Sequence, residues 1–390
     1  MKIVFYSWIC NIHQKMVAEE LYSTPGVNYT FVELRNLSGD ATKGGLQDSS
    51  ACPYVLQVWK GEEEATQAME LAVTADVCVF ASVDALPYQK ARMKCDLLSF
   101  DMSERWLKQG LKNVLSPAIS KMFLAYWLGG WKNKPMYKLC CSGFAAGDHK
   151  RLGMYRDKCY KWGYFTKVKT SVEVSTDVST SDITPLMWCS RYLMWKHPEL
   201  PVLLAERLKK AGYKFHLDMY GEGEYKKQTM ALAEELDVTD VVSFIDNKPN
   251  IELMEDMKKH EVFLFTSDKN EGWGAVANES MSNGCVLVAS NTIGSTPYLV
   301  SEGFNGFVFQ SSKPSYCIKN PDMAALDSLY EKVVWLLEHP DVRKQMQTNA
   351  MCVMQEIWSP KNAANSLLQL IRDLQAGRET TIEAGPCSKA

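Results

Sequence analysis

Apolar residues along this chain follow two alternating rhythms. Short β-rich runs, KIVFYSW, YTFVEL and VCVFAS, are separated by HQKMVAEELY and ATQAMELAV, whose apolar positions recur every three to four residues. A run apolar at nearly every position suits a strand covered on both faces, and an amphipathic stretch suits the helix that covers it. The alternation predicts βαβ units and a mostly parallel sheet. The rhythm restarts further on with LMWCSRY, PVLLAERLKKAGY, FHLDMYG, KKQTMALAEEL, VVSFI, IELMEDMKKH and VFLFTS. A second doubly wound α/β domain is the natural assembly. Between the two series, residues 169–184 are rich in Ser, Thr and Asp with little helical period, which marks an interdomain linker. The expected division is a domain over 1–168, the linker, a domain over 185–358, a last amphipathic helix over 359–375 and a frayed tail over 376–390.

No apolar run approaches the roughly 18 to 20 residues that span a bilayer, and the opening MKIVFYSWIC lacks the basic region and cleavage site of a signal peptide. The twelve cysteines show no metal-ligand spacing, and adjacent Cys140 and Cys141 are awkwardly placed to pair with each other. Reduced thiols in a cytoplasm, and no metal site, are the expectation. The net charge of −3 hides an asymmetry: residues 1–168 hold 21 Lys+Arg against 16 Asp+Glu, the remainder 22 against 30. A basic first half suggests a surface that meets anionic lipid or an anionic acceptor, although solvated lysines on helix faces give the same count. No nucleic-acid partner is expected. Within residues 117–138, Ile119, Met122, Phe123, Trp127 and Trp131 are joined by Lys121, Lys132 and Lys134. The segment reads either as a peripheral contact with the inner face of a membrane or as a core-facing helix with a lysine rim.

The chemistry concentrates between Glu261 and Gly294, where EVFLFTSDKNEGWGAVANESMSNGCVLVASNTIG reads as strand, glycine-flanked turn, helix and strand. Glycine at Gly272 and Gly274 lets backbone N–H groups and a positive helix end approach a phosphate. Glu271 and Glu279 lie eight positions apart, so one carboxylate precedes the helix and the other sits along its flank. Both can accept bonds from sugar hydroxyls. Taken singly, each would be a solvated glutamate. Upstream, Arg191 and Lys196 follow a strand and form a cation pair able to balance a pyrophosphate and stabilise a leaving nucleotide diphosphate.

These motifs, EGWGAVANESM, SRYLMWK and DMYGEGEY, resemble those of glycosyltransferase family four over residues 185–310. The resemblance implies the GT-B architecture: two facing doubly wound (Rossmann-like) domains, the first binding the acceptor and the second the nucleotide sugar, with a C-terminal helix returning to the N-terminal domain. It implies retaining, metal-independent transfer from a nucleotide diphosphate sugar, with no cofactor. In such members a donor phosphate oxygen is thought to take the acceptor's proton. By the same resemblance Arg191 and Lys196 clasp the diphosphate, Glu271 binds the donor sugar and Glu279 the ribose. The backbone of Trp273, Gly274, Ala275 and Val276, beside Gly272, meets the phosphates, and Gly221 with Phe244 to Asn247 flanks the base. His197 departs from the pattern, standing where glycine usually follows the lysine, and Ile245-Asp246 replaces a Phe-X-Gly turn.

The first half carries no Gly-Gly loop after its first strand, and bulky Trp8 to Gln14 occupies that region. His13 is a candidate catalytic contact to acceptor or donor phosphate, or else a cap or packed side chain. Asn11, Gln14, Glu104, Arg105, Asp148 and Tyr164 are candidates for the acceptor side, where capping, ion pairing and packing account for them equally. Two rivals stand beside the transferase reading. A dinucleotide-dependent oxidoreductase lacks its GxGxxG fingerprint here, whereas a non-catalytic sugar-nucleotide-binding subunit would share the second half.

Overall fold

The structure, a computed structural model, describes residues 1–36, 49, 51–168, 183–311 and 318–390. Two compact units emerge, one of Met1–Lys167 with Ile357–Ala390 and one of Val168–Glu356. The expected linker falls largely outside the described residues, and its last residue, Thr184, already begins a strand.

The first unit holds β1 (Lys2–Ser7), β2 (Asn28–Glu33), β3 (Val55–Gln57), β4 (Val77–Phe80), β5 (Ser99–Ser103), β6 (Met136–Cys140) and β7 (Cys159–Lys161). They form one parallel sheet in the order β3-β2-β1-β4-β5-β6-β7. Val4, Tyr6, Val32 and Phe80 pack with Leu71 and Ala72 of the helix Glu62–Thr74. A second cluster joins Met122 and Tyr126 of the helix Pro117–Leu128 to Trp106, Trp131, Met136 and Tyr155. That helix faces the core on one stripe and leaves Leu124, Trp127 and Leu128 exposed on another.

Two buried cations in this unit are answered by partners on neighbouring elements. Lys138 on β6, fully buried, donates to Asp101 on β5 at 2.8 Å and to Ser103 at 2.7 Å, and Tyr155 donates to the same Asp101 oxygen at 2.8 Å. Arg92 donates to the carbonyls of Ala72, Ala75, Asp76 and Leu98, seating the helix Leu86–Lys94 against the turn before β4. Removing either partner of such a buried pair leaves an unanswered charge.

The second unit holds β8 (Thr184–Cys189), β9 (Phe215–Tyr220), β10 (Val242–Ile245), β11 (Val262–Phe265), β12 (Val286–Ser290) and β13 (Gly306–Phe309), parallel in the order β10-β9-β8-β11-β12-β13. Leu186, Trp188, Leu217, Val262, Leu264 and Val288 line its core against Leu204 and Leu208 of the helix Glu199–Lys210 and Leu329 and Val333 of the helix Met323–Glu338. The chain runs outward from β8 through β9 to β10, then returns to start β11 on the other side of β8. The sheet therefore reverses between β8 and β11, the point at which loops leaving the carboxyl ends of such a sheet diverge.

The helix Pro360–Gln375, capped by Ser359, packs on the helix Ile12–Ser23. The expectation of a frayed tail is corrected. Lys161 donates its backbone N–H to Ser388, and the amides of Cys387 and Ala390 donate to Lys161 and Cys159 at 2.7 and 3.1 Å. The tail thus satisfies the otherwise open edge of β7 and buries Cys387, which local sequence cannot foretell. The described cysteines are free thiols, and among the described residues no helix is long and apolar enough to cross a membrane.

Candidate functional site

Arg191 and Lys196 follow β8, and Glu271 lies in the loop after β11, so the three meet at the reversal point of the second sheet. Lys196, 8% exposed, is ion-paired to Glu271 Oε2, which also accepts from Ser267 Oγ at 2.9 Å. No bond among the described residues reaches the other Glu271 oxygen. Burial pulls the Lys196 pKa down against the pull of Glu271, and the nearby Arg191 guanidinium pushes the same way as burial. Arg191 is exposed and has no carboxylate partner among the described residues. The site therefore holds one cation paired to a buried carboxylate and one, Arg191, with no carboxylate partner among the described residues, which leaves the Arg191 guanidinium open to an incoming anion.

Glu279 enters from the short helix Val276–Ser282, and its carboxylate accepts from Asn250 Nδ2 at 3.2 Å. Burial raises its pKa, a rise the Asn250 bond only partly offsets. The fields of Glu279 and Lys196 both reach the Cys189 thiol at the end of β8, which burial pushes up to about 12. The four charged residues named from the sequence thus gather around the end of β8.

The turn between Glu271 and Glu279 has a local physical cause. Gly274 has φ 83°, and a Cβ there would lie 2.3 Å from the Phe265 ring. Trp273 is fully buried and donates its Nε1 to Asn278 at 2.8 Å, fixing the turn to the helix that follows. Ala275 and Val276 begin that helix directly after Gly272, Trp273 and Gly274. Gly221 follows β9 with φ 132°, and a Cβ there would lie 2.0 Å from the Ser190 carbonyl oxygen, so only glycine lets the β8 and β9 loops come this close. Phe244 on β10 and exposed Asn247 lie at the same carboxyl edge.

In the first unit the candidates also stand at a carboxyl edge. Asn11 caps the helix Ile12–Ser23 by accepting from the amides of His13 and Gln14 at 3.1 Å, and Gln14 Nε2 approaches Ser7 Oγ at 3.4 Å. The His13 ring stacks on Tyr164 with centroids 5.7 Å apart, and its buried Nδ1 has no hydrogen-bond partner among the described residues. Burial lowers its pKa to about 4, so it is a neutral imidazole at pH 7. Tyr164 donates to Glu104 at 2.8 Å, and Lys108 holds the second oxygen of Glu104 at 3.1 Å. Arg105 and Asp148 instead answer each other at 3.3 Å, and Asp148 also accepts from the Leu107 amide. That pair shapes the loop after β5.

Residues 186–351 match the family model of the glycosyl transferases group 1. The match supports a glycosyltransferase and covers the sheet and site just described. Among solved structures, Anabaena Alr3699/HepE, determined in complex with UDP, is 14% identical over 97% of this chain and all of its own, with a TM-score of 0.65. The apo form of WaaB, a lipopolysaccharide outer core galactosyltransferase, is 15% identical over 94% and 99% of the two chains, TM-score 0.66. A glycosyltransferase from Rickettsia africae is 12% identical over 96% and 98%, TM-score 0.63. At such identities the likeness establishes the fold, which is GT-B. A search of curated proteins gave no match.

Sequence reasoning missed Ser267, Asn250 and Asn278, which hold Glu271, Glu279 and Trp273. Ser267 stands four residues before Glu271, a local spacing that could have flagged it. Asn250 is 29 positions from Glu279 and carried no such signal.

Proposed function

We propose that this protein moves a glycosyl unit from a nucleotide diphosphate sugar to a hydroxyl of a glycan or lipid-linked acceptor, with retention of anomeric configuration and without a metal ion. The observation that carries the reading is the Lys196–Glu271 pair beside unanswered Arg191 at the reversal point of the second sheet. Arg191 and Lys196 take the diphosphate, the unused Glu271 oxygen takes a sugar hydroxyl, and Glu279 takes a ribose hydroxyl. Gly221, Phe244 and Asn247 border the base. The group 1 match, and the UDP found in the Anabaena structure, support a nucleotide donor.

In the proposed step the bond from the anomeric carbon to the diphosphate oxygen breaks, and the acceptor oxygen bonds that carbon from the same face. The acceptor's proton passes to an oxygen of the departing diphosphate. Charge develops on that leaving group, where two preorganised cations stabilise it in place of a divalent ion. On the first unit we assign the acceptor side to His13, Glu104 and Tyr164, and peripheral contact with anionic lipid to the exposed edge of Leu124, Trp127 and Leu128 near Lys121.

The test is a transfer assay with UDP-, GDP- and ADP-sugars and a mixed glycan acceptor, with the product's anomeric configuration read by NMR. Transfer with retention that vanishes in the Arg191→Ala/Lys196→Ala protein, itself folded, is the expected result. Unchanged turnover in that variant would reject the assignment.

A further inference from the structure

His197 lies directly after Lys196, is 1% exposed, and takes the left-handed conformation with φ 51°. A glycine would adopt that backbone with no side chain at all, so the imidazole is present for what it contacts. Its Nδ1 is hydrogen-bonded at 3.0 Å to Glu199 Oε1, at the start of the helix Glu199–Lys210, and its buried Nε2 faces Asp268 Oδ2, in the loop leading to Glu271, at 3.5 Å, an ion-pair rather than a hydrogen-bond contact. Glu199 is 1% and Asp268 8% exposed. These two carboxylates are the charged groups facing the ring, and Lys196 on the same turn is directed to Glu271 instead.

The two loops also meet through their backbones. Asp268 donates its amide to the Trp195 carbonyl at 2.9 Å, Thr266 Oγ1 donates to the Lys196 carbonyl at 2.7 Å, and the Glu271 amide donates to the Asp268 carbonyl at 3.0 Å. A shift of Asp268 is therefore passed to Glu271 through one hydrogen bond, and a shift of the Trp195–His197 turn moves Lys196 itself.

We infer that His197 is a positioning residue of the donor site, bridging Glu199 and Asp268 as an imidazolium so that the Lys196 turn and the Glu271 loop keep one register. A neutral imidazole has a single N–H and would turn its other nitrogen's lone pair toward a buried carboxylate, whereas the protonated ring presents an N–H and positive charge to each. The pKa agrees in direction: burial lowers it, but the contacts with Asp268 and Glu199 together outweigh burial and leave it raised. The bridge is thus complete below the ordinary histidine pKa and is lost as pH rises through the raised one.

The inference rests on the donor-site reading for its functional meaning, and its test has an arm that does not. His197→Asn keeps a residue at ease in the left-handed conformation and removes the charge. Hydrogen exchange of residues 266–273 is compared at pH 6.5 in the wild-type protein and in His197→Asn. Loss of a charge-assisted bond should speed exchange about tenfold or more in the variant. The wild-type protection should decline toward that level as pH rises, after correction for intrinsic exchange. UDP affinity should fall about tenfold alongside. Exchange within twofold of wild type would overturn the bridge. If His197→Asn does not fold, the wild-type ring is read by 15N NMR: two protonated nitrogens at pH 7 support the bridge and a neutral ring overturns it. Failure of the wild-type protein to bind UDP, GDP or ADP would count against the donor-site reading alone, since exchange and ring protonation still judge the bridge.

Discussion

The two sheets share one winding pattern and treat charge at their carboxyl edges in opposite ways. In the first unit the ionic groups are closed on themselves: Lys138 on Asp101, Arg105 on Asp148, Lys108 on Glu104. What remains around His13 and Tyr164 is largely aromatic, with the Glu104 carboxylate held by Tyr164 and Lys108. In the second unit Arg191 stays unanswered, and Lys196 shares one Glu271 oxygen with Ser267. The same topology thus yields one edge whose named charges are paired internally and one where Arg191 has no carboxylate partner among the described residues. The difference lies in which charges find internal partners, not in the fold.

The sharpest way to break this contrast is to empty the second edge of cations. Arg191→Ala/Lys196→Ala should cut turnover by on the order of 10⁴-fold, since each preorganised donor of this kind contributes about 10²-fold to 10³-fold. Stability, followed by urea denaturation, should fall by about 1–3 kcal/mol, because Lys196→Ala leaves the buried Glu271 carboxylate held by Ser267. The converse variant is Lys138→Met, which strands buried Asp101 and should cost about 3–5 kcal/mol of stability, while nucleotide affinity of the surviving folded protein stays as in wild type. Asp101→Leu/Lys138→Met should recover most of that loss. Gly274→Ala, forced against Phe265 at positive φ, should lower stability by about 1–3 kcal/mol and weaken nucleotide binding with it. Truncation after Gly377 frees the β7 edge, and each lost backbone bond should cost about 1 kcal/mol without altering nucleotide affinity. Smallest of all, the His13 ring should titrate near 4 by NMR, so its charge change lies outside any activity limb between pH 6 and 8.

The strands legible from sequence were those largely buried and apolar at nearly every position, such as β1, β4, β8 and β11. β5 was hidden because Asp101 sits in it, and a buried charge reads as a loop until its partner Lys138, 37 residues away, is known. β3 and β7, three residues each, are too short for any period. The tail read as frayed for the same reason: GRETTIEAGPCSKA has no local pattern, and its order comes from the edge of β7. At the site, Glu271 and Glu279 were legible through helical spacing and flanking glycines. Ser267 and Asn250, which orient them, were not, because hydrogen bonds between loops leave no imprint on periodicity. His197 was visible as a departure, and only the folded chain places it between two carboxylates.

The central claim is that the second unit's edge is a nucleotide diphosphate site. It is tested most directly by thermal shift of the full chain with UDP, GDP and ADP, in the wild-type protein and in Arg191→Ala/Lys196→Ala. A ligand that binds the native state raises the melting temperature. The account predicts a rise with at least one of the three that disappears in the double variant. No rise with any of them, or an equal rise in both proteins, would contradict it.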